Sequence, residues 1–402
     1  MSRFLFVVPP LTGHINPTVA VGAELSLRGH QVAWAGHPSV LTSLLPQGAR
    51  LFPTDGLLSA EFLGAIMARA QGLRGPEAFR FLWKDVIIPL GEAMLPEVEK
   101  AIEHFAPDVL IVDQQAIAGA LVARRRELPW ATSATTSSEL VDTFSIFPLF
   151  GEWLRNELQA FQHRMGVATA EAERDDWRIS EHLVLAFSTK ELVGHGPFPD
   201  NWLFVGPAVE NRQIHAEFPW SWLDPQRRHV LVTLGTVSAA SGRLFFEAVI
   251  AAAGQLENRL QMLVIAPDGM LHATPSNVLV LPKVPQLQLL PQMDAVVCHA
   301  GHNTVCETLA HGIPLIVAPI RDDQPIIAQQ VADSGAGIRL KYGRVKAGEI
   351  VDALVAVLEP DSSYRQSAQR IQMAFRAARG SSAAADGLEL LAARTPTMVG
   401  FG

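Results

Sequence analysis

Phe4-Leu5-Phe6-Val7-Val8-Pro9-Pro10-Leu11-Thr12-Gly13-His14-Ile15-Asn16-Pro17 is the stretch whose reading decides the fold. Phe4 to Val8 is an unbroken apolar run, the pattern of a parallel strand covered on both faces. Pro9 to Ile15 reads as a loop. Asn16 then stands where an N-cap belongs, Pro17 at the first helical position, and Gly29 just past the last turn. Gln31 to Ala35 reads as the next strand. Strand, loop, helix, strand is the opening of a doubly wound α/β sheet.

Working outward, Val109 to Val112 reads as a strand ending in Asp113, Ala116 to Arg125 as a helix, and Trp130-Ala131 and His182 to Ala186 as further strand segments. Residues 55–100 and 135–178 lack clear periodicity and are read as irregular insertions. They carry Phe62, Phe79, Phe81, Trp83, Phe144, Phe147, Phe150 and Trp153. Gly206-Pro207, Pro219-Trp220 and Asp224-Pro225 mark a linker. The pattern then restarts: His229 to Leu234 is an apolar strand, Gly235-Thr236 a loop, and Leu244 to Ala253 lies in a helix. Strands follow at Gln261 to Ala266, Val278 to Leu281, Ala295 to His299 and Leu315 to Ala318, with helices at Ser362 to Arg379 and Ala383 to Ala393. The expected domains are 1–206, a linker 207–226, a second unit 227–379, and a tail 380–402 that packs back against the first. Two such units leave a cleft between the carboxyl ends of their sheets, where open parallel sheets bind ligands.

Composition narrows the function. With 402 residues, 49% hydrophobic and 18% charged, the chain is neither disordered nor short of core. A net charge of −8 argues against a general nucleic-acid binder, and Arg124-Arg125-Arg126 is the only basic run. Two cysteines give no disulfide framework, which fits a reducing compartment. No apolar run reaches the ~20 residues of a membrane span. Ser2-Arg3 followed by Phe4 to Leu11 superficially resembles a signal peptide, but Pro9-Pro10 interrupts it and no small-x-small site follows. A cytoplasmic protein is expected.

The stretch richest in chemistry runs from Val284 to Gln324. His299 ends a strand, and Gly301-His302-Asn303-Thr304 turns directly into a helix that stops at Gly312. A helix N-terminus after glycine offers free N–H groups and about half a positive charge, which suits a diphosphate. Glu307 lies about one turn in, on the face of Asn303 and Thr304, where a carboxylate can accept ribose hydroxyl protons. Read singly, each feature is ordinary capping or dipole compensation; their order and combination point to a nucleotide. Cys298, His299, His302, Cys306 and His311 crowd the same stretch, yet their spacing matches no usual zinc pattern. No Asp-x-Asp pair occurs, and no metal is expected. Gly-x-Gly-x-x-Gly and Gly-x-Ser-x-Gly are likewise missing, which disfavours a nicotinamide dehydrogenase and an α/β-hydrolase.

His14 follows the first strand and precedes a helix start, so it should face the cleft. The positive helix end is expected to disfavour imidazolium and keep the ring a proton acceptor. Asp113, ending a strand of the same sheet, is placed to hold the second ring nitrogen, fix the tautomer and support the cation.

The ordered pattern resembles the donor signature of family 1 glycosyltransferases with the two-domain GT-B fold, including bacterial macrolide and natural-product transferases and, more distantly, plant glucosyltransferases. Val284-Pro285-Gln286, His299-x-Gly301-x-Asn303-Thr304-x-x-Glu307, and Gly312-x-Pro314 through Asp323-Gln324 carry the resemblance. Gly13-His14-x-x-Pro17 and Pro107-Asp108-x-x-x-x-Asp113 match the N-terminal segments. The resemblance implies that His299 and the 301–304 amides hold the diphosphate, helped by Gly235-Thr236. It implies that Lys283, Val284, Gln286 and Glu307 flank the nucleoside, and that Asp323-Gln324 meet the donor sugar. Lys283 stands where a base-stacking tryptophan is common, so the choice between UDP and dTDP donors stays open.

These readings together give an inverting sugar transfer from a nucleotide-sugar donor to a hydroxyl of a lipophilic natural product, with His14 as base and Asp113 its support. Phe62, Phe79, Trp83, Phe144 and Phe147 are the candidate acceptor walls. Expected partners are the donor and a small hydroxylated acceptor, with no cofactor, nucleic acid or membrane insertion; a homodimer is left open. The rivals are a nucleotide-sugar epimerase or cell-wall hexosaminyl transferase on the same fold, and a non-catalytic donor-binding protein.

Overall fold

The structure, a computed structural model, describes residues 1–54, 60–70, 72–141, 148–168, 176–209, 216–235, 242–271 and 273–394. Its strands are β1 (Arg3–Val7), β2 (Gln31–Gly36), β3 (Arg50–Pro53), β4 (Val109–Asp113), β5 (Trp130–Ala134), β6 (Leu183–Ala186) and β7 (Trp202–Phe204), then β8 (Arg228–Thr233), β9 (Leu260–Ile265), β10 (Val278–Leu281), β11 (Ala295–Cys298), β12 (Leu315–Val317) and β13 (Gly337–Arg339). They form two parallel sheets, seven strands in the order β3-β2-β1-β4-β5-β6-β7 and six in the order β10-β9-β8-β11-β12-β13. The fold class is α/β with two Rossmann-like, doubly wound sheets.

Topology locates the site before any side chain is considered. In the first sheet β1 pairs with β2 on one side and β4 on the other. In the second, β8 pairs with β9 and β11. Helices leave each central pair toward opposite faces, opening a crevice at the strands' carboxyl ends. His14 follows β1 and Asp113 ends β4; Gly235 follows β8 and His299 follows β11.

The strands form because their apolar runs are covered on both faces. Leu5 and Val7 pack with the Ile88–Phe105 and Ile117–Arg125 helices, whereas Phe4, Phe6 and Val8 pack with Thr12–Leu27 and Gly380–Arg394. Each large apolar side chain so buried contributes ~1.5–3 kcal/mol. The second sheet is likewise sandwiched, with Arg243–Gln255 and Ala347–Leu358 on one face and His302–Leu309, Gln324–Asp333 and Ser363–Ala378 on the other.

The closing helix, Gly380–Arg394, lies on the first sheet through Ala384, Ala385, Leu388 and Leu391. Arg28 clasps it, donating to Asp386 at 2.7 Å and Glu389 at 2.8 Å while also bonding Glu24 at 2.8 Å.

Two readings need correction. The first helix begins at Thr12, so Asn16 and Pro17 lie inside it rather than at its start. Proline is compatible with a helix interior when the carbonyl four residues back finds another donor, and Gly13 does, as described below. The stretch read as irregular from 55 to 100 is mostly helical: Ala60–Ala70, Gly75–Phe81, a π-helical turn Leu82–Ile87, and Ile88–Phe105. Residues 148–164 likewise form a helix, Pro148–Arg164. Pro76, Pro89 and Pro96 hide the periodicity by interrupting it without ending the path of the chain.

Candidate active site

His14 sits in the first turn of the Thr12–Leu27 helix with its side chain 14% exposed. Its Nδ1 lies 2.9 and 3.0 Å from the carboxylate oxygens of Asp113, which is itself buried. With a proton on Nδ1, the ring donates to Asp113 and leaves the Nε2 lone pair open; Nε2 has no partner among the described residues. Asp113 also accepts from the Gln115 N–H at 2.9 Å and from Thr135 Oγ1 at 2.7 Å, and the Thr135 hydroxyl oxygen stands 2.8 Å from His14 Nδ1. Thr135 escaped the sequence reading. The signal was its position just past β5, the strand beside β4, at the same sheet end as Asp113.

The charge state of His14 also departs from expectation. Burial works against the charged ring, but the attraction of Asp113 and its hydrogen bond outweigh this, aided by Asp323 and Glu139. The pKa therefore lies above 6.5, not below it. Glu139, whose own carboxyl is raised by burial, is held by Arg178 at 3.1 Å.

Across the cleft, β11 ends at Cys298 and the chain turns through His299, Ala300 and Gly301 into the His302–Leu309 helix. Ala300 adopts φ 66°, a conformation costly for a residue with a Cβ and typical of functional turns. No side chain caps this helix, and its first internal bond is Val305 N–H to Gly301 O. The N–H groups of His302, Asn303 and Thr304 thus have no acceptor among the described residues, the arrangement that receives anions.

Gly301 and Gly235 are both required by the His299 ring. A Cβ at Gly301 would lie 2.6 Å from Nε2, and one at Gly235, where φ is +70°, would lie 2.7 Å from Cε1. Burial pushes the His299 pKa down to about 4, so the ring is neutral, and its Nδ1 has no partner among the described residues. Thr236 lies outside the described residues.

Glu307 Oε2 accepts from Gln286 Nε2 at 2.7 Å, which brings together two residues read as nucleoside contacts. Lys283 is exposed on the same loop. Of the two residues read as donor-sugar contacts, Asp323 meets the first domain: Thr136 Oγ1 donates to Asp323 Oδ2 at 2.6 Å. Asp322 beside it, with φ 55°, has a carboxyl raised to about 6 by burial despite Arg321. Arg321 in turn donates to the Ala70 carbonyl of the first domain.

Several assigned side chains are committed elsewhere. His302 is buried with Nε2 on the Phe187 carbonyl at 3.2 Å and beside Cys306 Sγ at 3.4 Å, so only its amide faces the turn. Val284 packs in the second domain's core, leaving its backbone alone for a base. Gln324 Oε1 accepts from the amides of Ile320 and Arg321 at 2.9 and 3.1 Å, bracing the loop ahead of it. Asn303 Nδ2 donates to the Gly13 carbonyl of the first domain at 3.0 Å.

Among the acceptor walls, Trp83 is core: 2% exposed, under the Arg178 guanidinium at 4.9 Å. Phe79 is part-buried against Phe150 and Trp153. Phe144, Phe147 and the Phe62 side chain lie outside the described residues. Among the described residues no group of three or more His, Cys, Asp or Glu side chains is arranged to hold a metal, and no helix is long and apolar enough to cross a membrane.

Two facing parallel-sheet domains, with a histidine–carboxylate pair on one and an uncapped glycine-led helix on the other, make up the two-domain GT-B fold. Residues 248–383 match the family described as "Erythromycin biosynthesis protein CIII-like, C-terminal domain". The chain is 28% identical to 4'-demethylrebeccamycin synthase of Lentzea aerocolonigenes, over 94% of this chain and 96% of that one. It is 27% identical to demethyllactenocin mycarosyltransferase of Streptomyces fradiae, over 97% and 86%. The fold superposes with TM-score 0.73 on glycosyltransferase VinC in complex with dTDP, at 19% identity over 98% of this chain and all (100%) of that one. The chain has the GT-B fold, and the relatives it resembles along nearly its whole length include glycosyltransferases that act on natural-product acceptors.

Proposed function

We propose that the protein transfers a sugar, with inversion, from a nucleoside-diphosphate donor to a hydroxyl of a natural-product acceptor. The observation that carries this reading is the His14–Asp113 pair, 2.9 Å apart, with Nε2 uncommitted and the neighbouring Gly13 bonded to Asn303 of the uncapped His302–Leu309 helix. Nε2 takes the acceptor's hydroxyl proton as that oxygen bonds to the anomeric carbon. The bond from this carbon to the β-phosphate oxygen breaks on the opposite face, and its electron pair leaves with the diphosphate. Asp113 stabilises the imidazolium, and the 302–304 amides, with neutral His299, receive the departing charge.

Glu307, oriented by Gln286, is assigned to accept from the ribose hydroxyls, and Asp323 with the side-chain NH2 of Gln324, whose Oε1 braces the loop, is assigned to the sugar hydroxyls. The departing charge is met by N–H donors, so we propose a reaction without metal or organic cofactor. A thymidine diphosphate donor is favoured by the dTDP complex of VinC. Both free cysteines are buried, which suits the reducing cytoplasm.

The test is His14→Ala. Turnover of dTDP-glucose or UDP-glucose, followed as nucleoside diphosphate release, should fall ~10²–10⁴-fold while diphosphate affinity is kept. Wild-type turnover in the variant removes His14 from this role.

A further inference from the structure

We infer that Asn303 is a positioning residue that ties closure of the cleft to the aim of His14, through a carbonyl that Pro17 leaves without its helical donor. This rests on the base and donor assignments proposed above. In the Thr12–Leu27 helix the carbonyl of Gly13 would ordinarily accept from the N–H of residue 17. Proline has no N–H, and its ring pushes the carbonyl four residues back outward. An oriented acceptor is thus left one residue before the base.

That acceptor is filled from the other domain, by Asn303 Nδ2 at 3.0 Å. The Gly13 oxygen belongs to the peptide plane that ends at the His14 Cα, so holding it fixes the plane from which the imidazole projects. Asn303 is the second residue of the helix whose free amides face the diphosphate. A donor that orders this turn therefore also orders the base. The other bonds between the domains, among them Thr136 to Asp323, Ser137 Oγ to Gln330 Oε1 at 2.5 Å, Arg321 to the Ala70 carbonyl and His302 to the Phe187 carbonyl, do not touch residue 13. Pro17, part of the segment matching the family yet given no role by the chemistry, thereby gains one.

Pro17→Ala restores the missing N–H and lets Gly13 bond within its own helix, while touching no ligand group. Asn303→Ala removes the donor. Each should lower kcat for nucleoside diphosphate release from dTDP-glucose and UDP-glucose by roughly three- to tenfold. The affinity for UDP and dTDP should stay within about twofold. Pro17→Ala should melt no lower than wild type, since alanine suits a helix interior. The double variant should be no slower than the slower single one, because both sever one link. Wild-type kcat in Pro17→Ala, or multiplying losses in the double variant, overturns the inference. So does a large loss of dTDP and UDP affinity confined to Asn303→Ala, which makes Asn303 a phosphate ligand instead. If His14→Ala is inactive but Pro17→Ala is normal, this inference alone fails; full turnover in His14→Ala removes the reading beneath it.

Discussion

The hydroxyl of Thr135 donates a 2.7 Å hydrogen bond to Oδ2 of Asp113. Asp113 is buried, so this donor satisfies one of its oxygens and helps fix its orientation toward His14. Thr135→Val should reduce kcat by roughly three- to thirtyfold with little change in donor affinity, and Thr135→Ser should restore most of it. Steady-state kinetics on the two variants check this.

The raised pKa of His14 gives a pH dependence of definite sign. The base must be neutral to act, so kcat/KM should rise with pH through an acidic limb centred above 6.5. In Asp113→Asn the main attraction is gone and burial dominates, so the limb should move to lower pH. Turnover on the plateau should drop ~10²–10⁴-fold, because the amide no longer fixes the tautomer or supports the cation. The stability linkage runs the other way: the His14–Asp113 attraction stabilises the fold fully below pH 6.5 and is lost as pH rises through the raised pKa. A pH–rate profile with unfolding at matched pH measures both.

How much of this was legible follows from the physics of each element. β1, β4, β8 and β11 are buried on both faces, so their sequences are unbroken apolar runs, and the residues that follow them had to meet at the switch points. His14, Asp113, Gly235 and His299 were therefore readable. Thr135 was not, because a threonine after a strand looks the same whether it meets solvent or a carboxylate. The direction of the His302 side chain depends on the Phe187 carbonyl, more than a hundred residues away (|i−j| = 115), and no local pattern encodes it. The helices between 60 and 105 were obscured by prolines, Pro76 and Pro89 in the first turn of a helix and Pro96 inside one. Trp83 shows the limit of composition: a large aromatic in an insertion proved to be core.

The His299 ring leaves no space for a Cβ at Gly301 or Gly235. Gly301→Ala should displace it and weaken dTDP and UDP binding at least tenfold by calorimetry. Gly235→Ala adds strain of ~1–2 kcal/mol from its left-handed backbone and should also lower stability. The folded pKa of about 4 lies below the ordinary 6.5, so the unfolded chain binds a proton that the folded one refuses. This residue's share of stability is lost as pH falls from 6.5 toward 4, and His299→Gln should lose less stability over that range.

Arg28 binds the closing helix with its side chain 23% exposed, in a network with Glu24, Asp386 and Glu389. Arg28→Ala should cost about 1–2 kcal/mol, more at low salt than at high salt. Denaturant unfolding at two ionic strengths tests it.

A crystal structure with the donor's nucleoside diphosphate bound addresses the central claim directly. The β-phosphate oxygens should lie within ~2.7–3.1 Å of the amides of residues 302–304, with the sugar side of the diphosphate opening toward His14 Nε2. A diphosphate held away from that turn, or one whose sugar side points from the imidazole, would contradict it.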